Sequence, residues 1–411
     1  MAQSNQARRV LYCNRNCYFD DSNGAAVASR AMMEALGRMG FAVEALTGSM
    51  IEAGPQADPH AWRKAHGIEI SFEGATLTVD PRGIRNDAPP QDRRVVRGVP
   101  VTVHRGSTKV ARETEEAEAR EFLELFDSVS ARFRPDVLVN FGGDRLSMEI
   151  RSRAKARGIA VVFALHNFSY HHAGPFADVD AVIVPSRLAS EHYRRTLGLE
   201  CQVLPNLIDL ARIRAERPDP RYVTFINPSF EKGVYAFARI AEELGRKRPE
   251  IPLLVVEARG SERTLADCGI DLTRSGNVFL MDHTPEPRRF WSVTKVCLVP
   301  SVCSEIQCLA AVESMFNGTP VIASDRGALP ETLGNAGIVL PLPEWMTPHT
   351  RVLPTSKEIA PWVNAIIRLM DDAEFLNDHR QKARIEASRS GSEILEPLYG
   401  SFFGGVVKKG T

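Results

Sequence analysis

No apolar run in the 411-residue sequence approaches the roughly 20 residues that a bilayer-spanning helix needs, so no transmembrane segment is expected. Net charge is also lacking. The 51 basic and 51 acidic side chains cancel, leaving no global field to gather nucleic acid or an anionic membrane. The seven cysteines are odd in number and irregularly placed (13, 17, 201, 268, 297, 303 and 308), with no C-x-x-C. Reduced thiols acting as small apolar side chains are expected rather than a disulfide framework. The start, MAQSNQARRVLYCNRN, is too polar for a signal peptide, which points to a cytoplasmic protein. There is no G-x-G-x-x-G, which weakens a dehydrogenase reading. The His171-His172 pair has no nearby Cys or carboxylate cluster at zinc spacing.

What is present fits two α/β domains. The 44% apolar and 25% charged fractions are those of a globular chain long enough for two cores. Val10 to Cys13 reads as a strand and Asn14 to Gly24 as a polar loop. Ala25 to Met39 is an amphipathic helix stopped by Gly40, and a strand follows from Phe41, the opening of a doubly wound sheet. Residues 54–108 break the pattern, with short antiparallel strands expected at Ile68 to Phe72, Thr76 to Val79, Val95-Val96 and Val99 to Val103. Arg93, Arg94, Arg97, Arg105, Lys109 and Arg112 form a local basic cluster, whose commonest meaning is a solvated face. The βα alternation resumes through a buried strand at 159–165 that delivers His166, Asn167 and Tyr170 at its carboxyl end, downstream of Gly142-Gly143-Asp144. Leu210 to Arg221, charged and punctuated by proline, is the natural hinge. The alternation then repeats. Lys232-Gly233 stands at the mouth of the helix Val234 to Arg246, where amides, helix dipole and ammonium suit a phosphate.

The most informative stretch is Cys297 to Glu331, CLVPSVCSEIQCLAAVESMFNGTPVIASDRGALPE. It reads as strand, helix from Ser304, strand, with Asn317-Gly318 as the helix stop. Were Glu305 and Glu313 both on that helix, they would lie about 12 Å apart along its axis, suited to two ends of one elongated ligand. The pattern Pro300-Ser301, Glu305, Glu313, Gly318, Pro320, Gly327, Pro330-Glu331 resembles the donor site of retaining glycosyltransferases of family 4. The fold this implies is α/β, GT-B: two Rossmann-like doubly wound domains facing across a cleft. The expected division is 1–205 (acceptor side, with the irregular insertion at about 54–108), 206–390 (donor side), and a tail, 391–411, packing back on the first domain or making a dimer contact.

The resemblance implies transfer of a sugar from a nucleotide-diphosphate sugar to an acceptor hydroxyl, with retention and without a metal or resident cofactor. A UDP-sugar is favoured over a GDP-sugar. Glu305 and His166 are the implied catalytic residues. Gly24, Lys232, Gly233, Arg259, Ser304, Glu313 and Gly327 are the implied donor-binding set, Glu313 holding the ribose; Asp144, Asn167 and Tyr170 lie on the acceptor side. The acceptor is open. In this family basic clusters touch anionic lipid or charged acceptors, which admits peripheral membrane contact; no nucleic acid partner is implied. The sequence departs from the family pattern at Ala25 (a second Gly), Ile226 (a diphosphate-gripping Arg, a role open to Arg259) and Gln307-Cys308 (Phe-Gly). A nucleotide-sugar epimerase of the same fold, a silent sugar-nucleotide-binding relative and a pure interaction protein remain alternatives.

Overall fold

The computed structural model describes residues 7–50, 70–73, 76–79, 99–104, 116–271 and 276–406. The chain forms two compact units, Met1–Leu207 with Ser392–Thr411, and Ile208–Gly391.

The first unit is built on strands β1 (Arg9–Asn16), β2 (Ala42–Met50), β3 (Ile70–Glu73), β4 (Thr76–Val79), β5 (Val101–His104), β6 (Val137–Asn140), β7 (Ala160–Ala164), β8 (Ala181–Val184) and β9 (Cys201–Val203). Its helices are α1 (Gly24–Arg38), α2 (Glu116–Phe133), α3 (Arg145–Ala156) and α4 (Arg187–Leu197). The sheet order is β3-β4-β5-β2-β1-β6-β7-β8-β9. Period-two alternation sends Val10 and Tyr12 to one face, with Met33, Leu36 and Val139, and Leu11 and Cys13 to the other, with Phe122, Phe126 and Ile150. Apolar runs such as AVVFA in β7 are therefore buried throughout, as strands covered on both faces must be. The C-terminal helix (Ser392–Gly405) adds Leu395, Tyr399 and Phe403 to the first of these cores.

The expected irregular insertion is a partial correction. β3 and β4 are antiparallel, but β5 pairs in parallel with β2 and extends the main sheet, Ala45 opposite Val101. Val95-Val96 and the basic cluster at 93–97 and 105–112 lie outside the described residues.

The second unit carries a six-stranded parallel sheet of β10 (Tyr222–Ile226), β11 (Leu253–Val256), β12 (Val278–Met281), β13 (Thr294–Val299), β14 (Val321–Ser324) and β15 (Ile338–Leu340). The order is β12-β11-β10-β13-β14-β15. Helices α5 (Leu210–Ile213), α6 (Val234–Lys247), α7 (Glu262–Asp267), α8 (Arg288–Trp291), α9 (Leu309–Phe316), α10 (Leu329–Leu333), α11 (Ser356–Asp371) and α12 (Ala373–Ser388) complete it. The charged stretch after Asp371 is thus a helix, capped by Asp372 and anchored by Leu376, Ala383 and Ala387.

Each sheet reverses its winding once, between β1 and β6 in the first unit and between β10 and β13 in the second. The crevice outside the carboxyl ends of such a strand pair is where open α/β sheets bind ligands. Among the described residues, no helix is long and apolar enough to cross a membrane.

Candidate active site

The β10–β13 switch point collects most of the charged residues singled out in the second unit. After β10, Asn227 takes a left-handed conformation (φ 61°) and its side chain accepts from Gly260 N at 2.9 Å. The chain then turns through Ser229–Gly233 into α6. Gly233 is itself left-handed (φ 82°), and a Cβ there would sit 1.8 Å from the carbonyl oxygen of Pro300. Only glycine brings the two loops this close. The loop after β13 is tied back when Val302 N and Cys303 N both donate to Glu231 O, at 3.0 and 3.2 Å.

Across this junction Lys232 Nζ donates to Glu305 Oε1 at 2.6 Å, and Ser301 Oγ donates to the same oxygen at 2.6 Å. The Glu305 carboxylate is nearly buried and Lys232 a quarter exposed. Burial alone would raise the Glu305 pKa, but the Lys232 ammonium, the two hydrogen bonds and the charge of Arg259 outweigh it, and the carboxyl is held below its ordinary range. Burial likewise works to lower Lys232, and the Glu305 carboxylate reverses it, keeping the ammonium charged. Arg259 therefore stands close enough for its charge to be felt at Glu305, although its side chain is exposed.

Glu305 does not lie on a helix. It forms a parallel bridge to Gly327, and Ala328 N donates to Glu305 O at 2.7 Å. The helix begins only at Leu309, because Cys308 is left-handed (φ 70°) and breaks the run from Ser304. Gly327 (φ 61°) is required here, since a Cβ would meet Glu305 N and O at 2.4 and 2.3 Å. Ser304 is exposed beside Glu305. Glu313 is on α9, half-buried, and accepts from Trp291 Nε1 at 3.1 Å. The 12 Å helical spacing drawn from the sequence thus fails, while Glu305 and Glu313 remain in one unit.

The amides of Lys232 and Gly233, expected as phosphate donors, are already used inside the turn, as is that of Ser229 before them: Ser229, Lys232 and Gly233 bond Asn227 O, Ser229 O and Phe230 O at 2.6, 3.2 and 3.1 Å. Val234 N, the first amide of α6, likewise bonds Ser229 O at 3.3 Å, so what remains is the rest of the first turn of this 14-residue helix, which has no side-chain cap.

In the first unit, His166 follows β7 with its Nε2 3.5 Å from Ser29 Oγ and its ring edge-on to Phe141, 5.0 Å between centroids. Burial pushes the imidazole down to about 4, so it is neutral at pH 7. It lines a small recess with Ser29, Asn206 and Tyr399. Asn14 Nδ2 bridges the switch point to Phe141 O at 2.9 Å. Gly24 opens α1 and is exposed, but the amides of Ala25 and Ala26 are taken by the Asn23 side chain at 2.8 and 3.2 Å. Asp144 caps α3 through Ser147 N (3.0 Å) and Oγ (2.7 Å). Asn167 Oδ1 accepts from Ser169 N at 3.0 Å, and its carbonyl accepts from Tyr193 Oη at 2.7 Å. Tyr170 packs its ring on Phe163 and Phe176. Among the described residues, no three His, Cys, Asp or Glu converge as a metal site would.

Two contributors had little signal of their role in the sequence. Ser301 stands in the motif pattern without a stated partner, and Trp291, 22 residues before Glu313, has no spacing rule to link them.

Residues 221–372 match the family model of glycosyl transferases group 1. The fold is GT-B. The chain is similar to the sucrose-phosphate synthase of Thermosynechococcus elongatus (18% identity, TM-score 0.67, covering 97% of this chain and 98% of that one). It is also similar to Anabaena HepE in complex with UDP and glucose (14%, 0.65, 96% and 99%). The pneumococcal O-GlcNAc transferase GtfA in complex with UDP and GlcNAc aligns at 13% identity with a TM-score of 0.64 over 98% and 99%. Curated protein sequences gave no match.

Proposed function

We propose that the chain is a glycosyltransferase that moves a sugar from a nucleotide-diphosphate sugar to an acceptor hydroxyl, with retention and without a metal. One observation carries this reading: the Lys232–Glu305 pair at the β10–β13 switch point, beside the uncapped start of α6. The group 1 match over 221–372 and the UDP and sugar bound in the HepE and GtfA structures support it.

The roles follow from donor and acceptor counts. An ammonium has three N–H groups; one goes to Glu305, leaving two for a diphosphate. Together with the α6 amides they meet charge that grows on the leaving group, the kind of preorganised stabilisation worth most in catalysis. Both bonds to Glu305 fall on Oε1, so Oε2 is the oxygen assigned to a sugar hydroxyl. Glu313 is assigned to the ribose, Arg259 to the diphosphate, and neutral His166 to hydrogen bonding at the reacting sugar. The leaving phosphate accepts the acceptor's proton. UDP-sugar is the favoured donor.

A thermal-shift screen of UDP-, GDP- and ADP-sugars tests the reading. One donor should raise the melting temperature of the wild type and none that of Lys232→Ala. Sugar release to an acceptor should survive EDTA, and NMR of the product should show the donor's anomeric configuration. A donor epimerised without acceptor would replace transfer by epimerisation.

A further inference from the structure

The loop after β7 carries an aromatic ring that the fold does not absorb. Phe168, two residues past His166, is half-buried, and among the described residues it joins none of the four apolar cores. It is held by α4 instead. Its ring stacks on Tyr193, with 6.1 Å between centroids and 10° between planes, and meets His192 edge-on at 5.0 Å. Tyr193 is fully buried, and its hydroxyl donates to Asn167 O at 2.7 Å, pinning the loop to the helix. Ser169 N donates to Asn167 Oδ1 at 3.0 Å and closes the turn that carries Phe168. A ring fixed in this way loses little freedom when a ligand settles on it.

The residues flanking the ring are polar. Asn167, Ser169, His171 and His172 are all exposed, and Asn167 Nδ2 and Ser169 Oγ have no partner among the described residues. An acyl chain needs continuous apolar surface, which this loop does not offer. A pyranose needs less: its C–H face rests on the electron-rich face of an aromatic ring, and its rim of hydroxyls pairs with an amide and a hydroxyl.

We infer that Phe168, rimmed by Asn167 and Ser169, is the platform on which the acceptor stacks, and that the acceptor is a carbohydrate presenting a pyranose ring. This assignment rests on the transfer reading under the proposed function and names the substrate class that reading leaves open. It concerns binding alone; no bond is made or broken.

Saturation-transfer NMR of the full chain provides the test. The probes are methyl gluco-, galacto- and mannopyranosides, in the presence of whichever of UDP, GDP or ADP the wild type binds. At least one pyranoside should bind, with saturation concentrated on the C–H groups of one face. Phe168→Ala should weaken it roughly five- to tenfold, and Phe168→Tyr should stay within about twofold of the wild type. Nucleotide affinity by calorimetry should be unchanged in both, which also shows that they fold. Glu305→Gln, which disturbs the place assigned to the donor sugar, should leave the pyranoside bound. A pyranoside kept in Phe168→Ala, or lost in Glu305→Gln, overturns the inference, as does a wild type that binds nucleotide and no pyranoside. Should Phe168→Ala fail to fold, the double variant Asn167→Ala with Ser169→Ala decides: it should weaken the pyranoside roughly tenfold, and unchanged binding overturns the inference equally. A wild type that binds none of the nucleotides sinks the proposed function itself, a result visible before any variant is made.

Discussion

Gly233 shows how a single residue sets the second unit's site. Its left-handed backbone and the 1.8 Å approach of Pro300 O to any Cβ leave no room for a side chain. Gly233→Ala should therefore cost about 3 kcal/mol or more of the unit's stability, read as a lowered urea midpoint. His166 gives the first unit a pH dependence of definite sign. Its folded pKa of about 4 lies below the ordinary 6.5, so on acidification the unfolded chain takes up the proton first. Stability present above pH 6.5 should fall as the pH drops toward 4, by up to about 3 kcal/mol. His166→Gln should lose that much less between pH 7.5 and 4.5 in paired urea titrations.

At the level of elements, helix ends carry the information. Asn23 accepts from two amides of α1 with one oxygen, so Asn23→Ala should destabilise the first unit by about 1 kcal/mol and Asn23→Asp by much less, measured by denaturant unfolding. The same bonds mean that an anion reaching Ala25 or Ala26 would have to displace Asn23. By contrast α6 begins without a side-chain cap, which is why the diphosphate is assigned there. The helix expected from Ser304 begins five residues late because tertiary contacts outbid local periodicity. Glu305 is drawn into a bridge with Gly327 and an ion pair with Lys232, and Cys308 accepts a left-handed backbone.

For the molecule as a whole, the two units differ in how the chain makes them. Residues 208–391 are continuous, with their own six-stranded sheet, and should fold alone with one cooperative thermal transition. The first unit is discontinuous. Its core contains Leu395, Tyr399 and Phe403, and Tyr399 Oη donates to Leu204 O and Pro205 O at 3.3 and 3.2 Å. Residues 1–207 without the C-terminal helix should lose roughly 5–8 kcal/mol from three unburied side chains and fail to give a cooperative transition by circular dichroism.

Local pattern sufficed for the parallel sheets and for most helices, because periodicity, glycine and proline act over a few residues and are written where they act; the Lys232–Glu305 ion pair, 73 positions apart, was not among the readings it gave. The sequence alone also marked Gly233 and Gly327, though not why each is needed. Tertiary structure decided what is held against what. It attached β5 to the main sheet, took Glu305 off its helix and turned Trp291 toward Glu313. These are contacts between residues tens of positions apart, set by the close approach of loops at the strand ends, and no spacing along the chain encodes such an approach.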